Sequence, residues 1–326
     1  FYKSNYLWQI RQSQNLFSTP MSLKQNDKFV NMYNSKAGDV NNKLKIIANM
    51  ISNPRKKPVQ PIQVDFTFDY KNMKNNQYVW FGHSSILFKV EDQFIFVDPV
   101  LNNATPVTKH FPYSQEYNFE KFPIFDYILI THCHYDHLCL KTLQKLKFNH
   151  IICPLGVSTH LQSFKCEKTE LDWFQSKISL NLTITLLPSQ HFSARSINDR
   201  DKTLWGGYGI NNIYISGDGG FNQLQFEKIK GIRKFDYLFI ECGQYAAQWP
   251  TTHMFPQQSY EVFKILEGVQ IFPHHFGKFC LTTHEWDDPI TQMEHFESVF
   301  VGKIGKIYQL ESCTGKYIDD AWLGKE

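Results

Sequence analysis

No Cys-x-x-Cys pair occurs anywhere in this chain, and its seven cysteines, Cys133, Cys139, Cys153, Cys166, Cys242, Cys280 and Cys313, are odd in number. That usage argues against a disulfide framework and fits a reduced, intracellular protein with free thiols. No apolar run approaches the length of a membrane span, and no secretory signal is visible. The first residue is Phe1 rather than Met, so removal of a targeting segment stays an open alternative. Charge of one sign is also scarce. A formal +3 over 326 residues leaves no electrostatic case for nucleic acid. What the chain does hold is core material. Hydrophobic residues make up 42%, enough for one large domain or two small ones. Phe and Tyr are plentiful; most belong to a core, and some could line an apolar pocket.

The densest chemistry lies at residues 131–138, Thr-His-Cys-His-Tyr-Asp-His-Leu. An apolar run at 126–130 precedes it and reads as a buried strand. His132 and His134 are two apart, so an extended chain presents both to one side, while Cys133 points away. Asp136 and His137 follow where Leu138, Leu140, Leu143 and Leu146 predict a helix, whose start can turn this pair toward the first. Neutral imidazole and carboxylate are good ligands for zinc or a similar ion. The cluster can offer two ligands to each of two adjacent metals, an arrangement suited to hydrolysis.

Residues 1–77 read as an N-terminal arm packed on the core, and residues 78–326 as one catalytic domain. The arm is rich in Asn, Lys, Gln and Ser, with a short amphipathic helix expected over 40–52 and a basic turn at 54–58. From Gln77 short apolar runs alternate with turns. Asp98 closes one run and could orient a ligand histidine. His83 reads as a structural loop histidine. Residues 101–123 form a long loop that could overhang the site. A helical stretch from Leu155, a helix from Gln257 to about Glu267, a helix at 295–300 and a last strand at 304–310 complete the outline. His191, Asp218 and His275 each stand just beyond an apolar run, as His132 and His134 do. Ligands at one end of the strands can converge. An echo between residues 125–130 and 235–240 suggests two similar halves, each with a sheet and covering helices.

With these motifs in view, the chain resembles the metallo-β-lactamase superfamily, whose signature is His-x-His-x-Asp-His followed by a His, an Asp and a final His. Within it, the chain is most similar to the N-acylphosphatidylethanolamine-hydrolysing phospholipase D family. The matching stretches are Trp80-Phe81-Gly82-His83, Val97-Asp98-Pro99, residues 132–138, Glu170-Leu171-Asp172-Trp173, Pro188-Ser189-Gln190-His191, Thr203-Leu204-Trp205-Gly206, Ser216-Gly217-Asp218-Gly219 and His275-Phe276-Gly277. A hint of it extends into the arm at residues 28–31.

The resemblance implies an α/β fold, a four-layer αββα sandwich, and two zinc ions. His132, His134 and His191 would hold the first ion, Asp136, His137 and His275 the second, and Asp218 would bridge them. A hydroxide held by the ions would attack phosphorus and release an N-acylethanolamine and phosphatidic acid. Asp136, Asp218 and His253 are the catalytic candidates, with His253 contacting the phosphate or assisting the leaving oxygen. A phospholipid substrate, a peripheral membrane surface and a homodimer come with the family. Loop 101–123 and Lys278 depart from its pattern; Lys278 either meets a phosphate or faces water. The alternative functions are a related lactonase or soluble phosphodiesterase, and, from another class, a binding module without catalysis.

Overall fold

The computed structural model describes residues 21–33, 35, 37, 56–196 and 198–319. The helix expected over 40–52 lies outside the described residues, as does the start of the basic turn at 54–58. The arm contributes one hairpin, β1 (Leu23–Gln25) and β2 (Lys28–Val30). Asn26 and Asp27, both at positive φ, make its two-residue turn.

Two sheets form the body. The first holds β3 (Gln77–Trp80), β4 (Ile86–Val90), β5 (Gln93–Val97), β6 (Phe125–Leu129), β7 (Phe148–Pro154) and β8 (Glu167–Leu171). The second holds β9 (Ser176–Ser179), β10 (Leu182–Leu187), β11 (Gly207–Ile210), β12 (Ile213–Ile215), β13 (Tyr237–Glu241) and β14 (Gln270–His274). A short parallel pair, β15 (Phe300–Val301) with β17 (Tyr317–Ile318), stands apart, and β16 (Ile307–Gln309) closes the first sheet beside β3.

Each sheet begins as an antiparallel meander and ends parallel: β3 to β5 then β6 to β8, and β9 to β12 then β13 and β14. The echoing strands β6 and β13 occupy parallel positions of different sheets, as two similar halves predict. The sheets pack face to face. Tyr78 and Phe88 of the first meet Phe239 of the second at ring separations of 5.1 and 5.0 Å. The Tyr208 hydroxyl, buried between the layers, donates to Ile130 O at 2.9 Å.

Helices α2 (Gln223–Lys230), α3 (Pro256–Leu266) and α4 (Asp288–Met293) cover the second sheet, while the described residues give the first the single turn α1 (Leu140–Leu143) and short 3-10 helices, Val157–Leu161 among them. The layers thus run helix, sheet, sheet, helix, with one outer layer thin. Two expectations need correction and a third is refined. The helix after the histidine cluster starts later than its leucines suggest and spans one turn, because Cys139 is extended at φ −103°, ψ 100°. The helical stretch expected from Leu155 is present as the 3-10 helix Val157–Leu161. Residues 295–300 are not helical; the helix lies earlier, opened by Pro289, and Ser298 at φ 57° breaks any continuation.

Within each sheet the registers make β3, β5 and β6, and β10, β12, β13 and β14, run in one direction. Their C-terminal ends therefore lie at one edge, and the loops that leave them meet there. Strands buried on both faces read as near-continuous apolar runs, so the polar groups cluster where those runs stop.

Candidate metal centre

The loop that leaves β6 is held by its neighbours before it presents any ligand. The Thr131 N–H donates to Asp98 Oδ1 at 2.8 Å and its hydroxyl to Asp98 Oδ2 at 2.6 Å. Asp98 Oδ2 also lies 2.7 Å from His137 Nδ1. An ionised carboxylate only accepts, so it keeps the proton on Nδ1 and leaves Nε2 facing inward. A tight turn follows, with the N–H groups of His137 and Leu138 both donating to His134 O. After β12, Gly217 at φ +60° turns the chain where a Cβ would meet Gly206 O at 2.4 Å, and this close approach delivers Asp218.

The side chains gather in three overlapping groups, in each of which one ligand atom per residue lies within 4.8 Å of every other. His132, His134, His191 and Asp218 form the first; Asp136, His137, His275 and His83 the second; Asp218, His253 and His275 the third. Asp218 Oδ2 joins them. It lies 3.1 Å from the Nε2 atoms of His137 and His275 and 3.8 Å from those of His132 and His191. Its other oxygen is buried without a hydrogen-bond partner among the described residues. The ring nitrogens themselves converge, with His132 Nε2 2.8 Å from His134 Nδ1 and His137 Nε2 3.3 Å from His275 Nε2. Converging lone pairs, buried carboxylates and an orphaned carboxylate oxygen form a donor set that fits cations.

The electrostatics agree. Burial holds His132 and His191 well below the usual imidazole range and His134 at about 4, keeping all three neutral, the form that binds metal. Burial also acts to lower His137, but Asp218, Asp136 and Asp98 outweigh it and bring the ring up to about 10. His275 moves upward for the same kind of reason, with Asp218 as its main partner. The carboxylates thus call for positive charge at the middle of the site.

Among the described residues, four that were not read as part of the site, His83, Arg195, Asn31 and Glu241, complete the centre. His83 was read as structural, yet its ring is fully buried with Nε2 2.9 Å from Asp136 Oδ2. Its backbone pairs with the exit of β14: His83 N donates to Phe276 O and His275 N to His83 O. Non-glycine residues at positive φ collect here, at His83, Asp98 and His275. Arg195 Nη1 donates to Cys133 O at 2.7 Å and Leu138 O at 2.8 Å. Asn31 of the arm hydrogen-bonds the His191 peptide, and Glu241 at the end of β13 lies 3.2 Å from His253 Nδ1. Cys133 points away from the site, accepting from the Thr203 hydroxyl. Lys278 meets neither water nor the site. It is buried, with Nζ donating to Val100 O at 2.7 Å. All seven cysteines are free thiols.

The groups open into a cavity of about 210 Å³. His134, Asp136, His191, Asp218, His253 and His275 line one side; Phe192, Trp249 and Leu281 supply an apolar wall. No helix among the described residues is long and apolar enough to cross a membrane.

Residues 93–276 match a family model described as the beta-lactamase superfamily domain. An uncharacterized protein of Mycobacterium tuberculosis is 31% identical over 239 residues, 66% of this chain and 62% of the relative, so this chain spans under two thirds of that relative's length. The N-acyl-phosphatidylethanolamine-hydrolyzing phospholipase D 1 of Caenorhabditis elegans is 28% identical over 70% of both chains. Among solved structures, Igni18, a metallo hydrolase from the archaeon Ignicoccus hospitalis, superposes with a TM-score of 0.55 at 18% identity, covering 71% of this chain and 97% of the other. An isothiocyanate hydrolase from Delia radicum gut bacteria gives 0.56 at 17% identity, covering 71% and 98%. At these identities the superpositions show the fold alone.

Proposed function

The chain belongs to the beta-lactamase superfamily as a metal-dependent hydrolase, and from that premise we propose that it is a dinuclear zinc phosphodiesterase that cleaves N-acylphosphatidylethanolamines to N-acylethanolamine and phosphatidic acid. The observation that carries the hydrolytic reading is the pair of histidine-rich groups that share Asp218 Oδ2. In this reading His132, His134 and His191 hold one ion, Asp136, His137 and His275 the other, and Asp218 serves both. Ions held there would supply an activated water and polarise a phosphoryl oxygen. The likeness to the Caenorhabditis elegans phospholipase D over 70% of both chains supports the substrate class.

The chain's own residues do the rest. Asp98 and His83 hold His137 and Asp136 in place. His253 lines the cavity and is poised to hydrogen-bond the phosphate or to give a proton to the departing ethanolamine oxygen. The apolar wall of Phe192, Trp249 and Leu281 faces the glycerol end of a lipid. A cavity of about 210 Å³ receives the head group while the acyl chains stay outside, at a membrane surface. A homodimer belongs to the same reading.

The test is product analysis by mass spectrometry. Zinc-loaded protein receives N-acylphosphatidylethanolamine in mixed micelles, beside a His132→Ala/His134→Ala control. Phosphatidic acid and N-acylethanolamine, absent in the control, are the expected products. The small cavity also favours a second reading, a soluble phosphodiester or lactone. Turnover of those compounds with no lipid cleavage would replace the lipid with that class.

A further inference from the structure

Glu241 is a completely buried carboxylate that the hydrolysis described above does not use. Its Oε1 accepts from the backbone N–H of Gly219 at 3.2 Å and of Met254 at 3.1 Å, and lies 3.2 Å from His253 Nδ1. Its Oε2 faces His275 Nδ1 at 3.5 Å, an electrostatic contact longer than a good hydrogen bond, and neither atom has a hydrogen-bond partner among the described residues. The two imidazoles stack on each other, with centroids 5.1 Å apart and planes 29° apart. The residue itself is clamped. Its N–H donates to Ser216 Oγ at 3.0 Å, and its carbonyl accepts from Ser259 Oγ at 2.6 Å.

One carboxylate therefore touches three parts of the site: the turn that carries Asp218, the ring of His253 and the ring of His275. A carboxylate can only accept, so each imidazole nitrogen that faces it carries a proton. His275 then presents Nε2, with its lone pair, toward Asp218 and Asp136. For His253, Nε2 is the nitrogen that does not face Glu241. A fixed carboxylate that hydrogen-bonds one ring and faces the other at 3.5 Å also relates the two rings to each other, and misplacement of a reacting group by 1 Å can cost about 100-fold.

We propose that Glu241 is a shared positioning residue: it sets the tautomer and orientation of His275 for the metal and of His253 for the substrate together. The proposal rests on the metal reading of the site but not on the lipid substrate, so its zinc measurement needs no turnover.

The variant is Glu241→Gln, which keeps the volume and one acceptor oxygen but turns an NH2 group toward one of the imidazole N–H groups. Zinc affinity is measured by competition with a chromophoric chelator, and kcat and KM at saturating zinc. The wild type is expected to bind two zinc ions. Glu241→Gln should keep its melting temperature within a few degrees while holding one of the two ions roughly 10–100-fold more weakly. Its kcat should fall by more than KM changes, and the cost of His253→Ala should shrink in the Glu241→Gln background, because the two residues act as one unit. A purely structural role predicts unchanged affinity for both ions and independent losses of kcat, and either result overturns the proposal. A wild type that binds no zinc removes the metal reading and the proposal with it. If Glu241→Gln does not fold, Glu241→Asp makes the same comparison with the charge withdrawn by one methylene.

Discussion

The side chain of Asn31 pairs with the peptide of His191. His191 N–H donates to Asn31 Oδ1 at 3.0 Å, and Asn31 Nδ2 donates to His191 O at 3.0 Å. The Trp205 indole N–H shares the same oxygen at 3.2 Å. The arm is tied down around this pair, with Phe29 N–H on Asp201 O and the N–H groups of Met21 and Ser22 on Asp172. A residue 160 positions away thus serves as part of the loop after β10. Asn31→Ala strips the partner from a buried N–H and a buried carbonyl. It is expected to destabilise the protein by about 2–4 kcal/mol, read by urea unfolding, and to weaken zinc binding by roughly tenfold through His191.

Asp98 acts on the opposite side of the centre. It accepts from Thr131 through both oxygens and faces His137 Nδ1. In Asp98→Asn one oxygen becomes an NH2 group, which cannot accept from both the Thr131 hydroxyl and the imidazole. His137 then loses the partner that fixes its tautomer. Zinc affinity at one of the two positions should fall by about 10–100-fold, with the other position unaffected. Chelator competition distinguishes this from a general loss of folding, which would weaken both.

The strand-end positions of His132, His134, His191, Asp218 and His275 were legible because the strands before them are buried on both faces. Such strands write uninterrupted apolar runs, and a histidine or aspartate at the stop stands out. Asn31 and Arg195 gave no such signal, and Glu241, though it stops the run 235–240, was not read as part of the site. Each is an ordinary polar residue whose meaning lies in a partner brought close only by the fold. His83 is the opposite case: its motif was visible, but its reach to Asp136 depends on pairing with the exit of β14 in the other sheet. Leu138, Leu140, Leu143 and Leu146 misled for a definite reason. Their spacing is helical, yet Leu138 belongs to the ligand turn, and its carbonyl is taken by Arg195 instead of a helical N–H.

Arg195 bridges carbonyls at both ends of that turn through Nη1, and its guanidinium lies 4.1 Å over the Tyr135 ring. A lysine has a compact ammonium on a flexible stem and cannot reproduce the planar stacking. Arg195→Lys should cost about 1–3 kcal/mol, since it loosens a buried hydrogen-bond network. The loosened turn should also speed zinc release, which stopped-flow mixing with excess chelator measures. Unchanged release at equal stability would show that the turn is rigid without the arginine.

Lys278 supplies a prediction whose sign is fixed by burial. The amine sits among apolar groups with Val100 O as its hydrogen-bond partner, and burial lowers its pKa to about 7. The unfolded chain keeps its proton up to the ordinary lysine value of about 10.5. Between those values the unfolded state binds more protons than the folded state, so this residue makes stability rise with pH, at up to about 1.4 kcal/mol per pH unit. Below the window the contribution is a constant penalty; above it the penalty is gone. Lys278→Met removes the titration and leaves the Val100 carbonyl with its long 3.5 Å contact from Ser85 Oγ. The variant is expected to be more stable than the wild type at pH 7 by about 1–3 kcal/mol. That advantage should shrink steadily as unfolding is measured at pH 8, 9 and 10. The difference between the two proteins cancels the other groups that titrate in this range. A difference that stays constant across the window would mean that Lys278 keeps its proton in the fold.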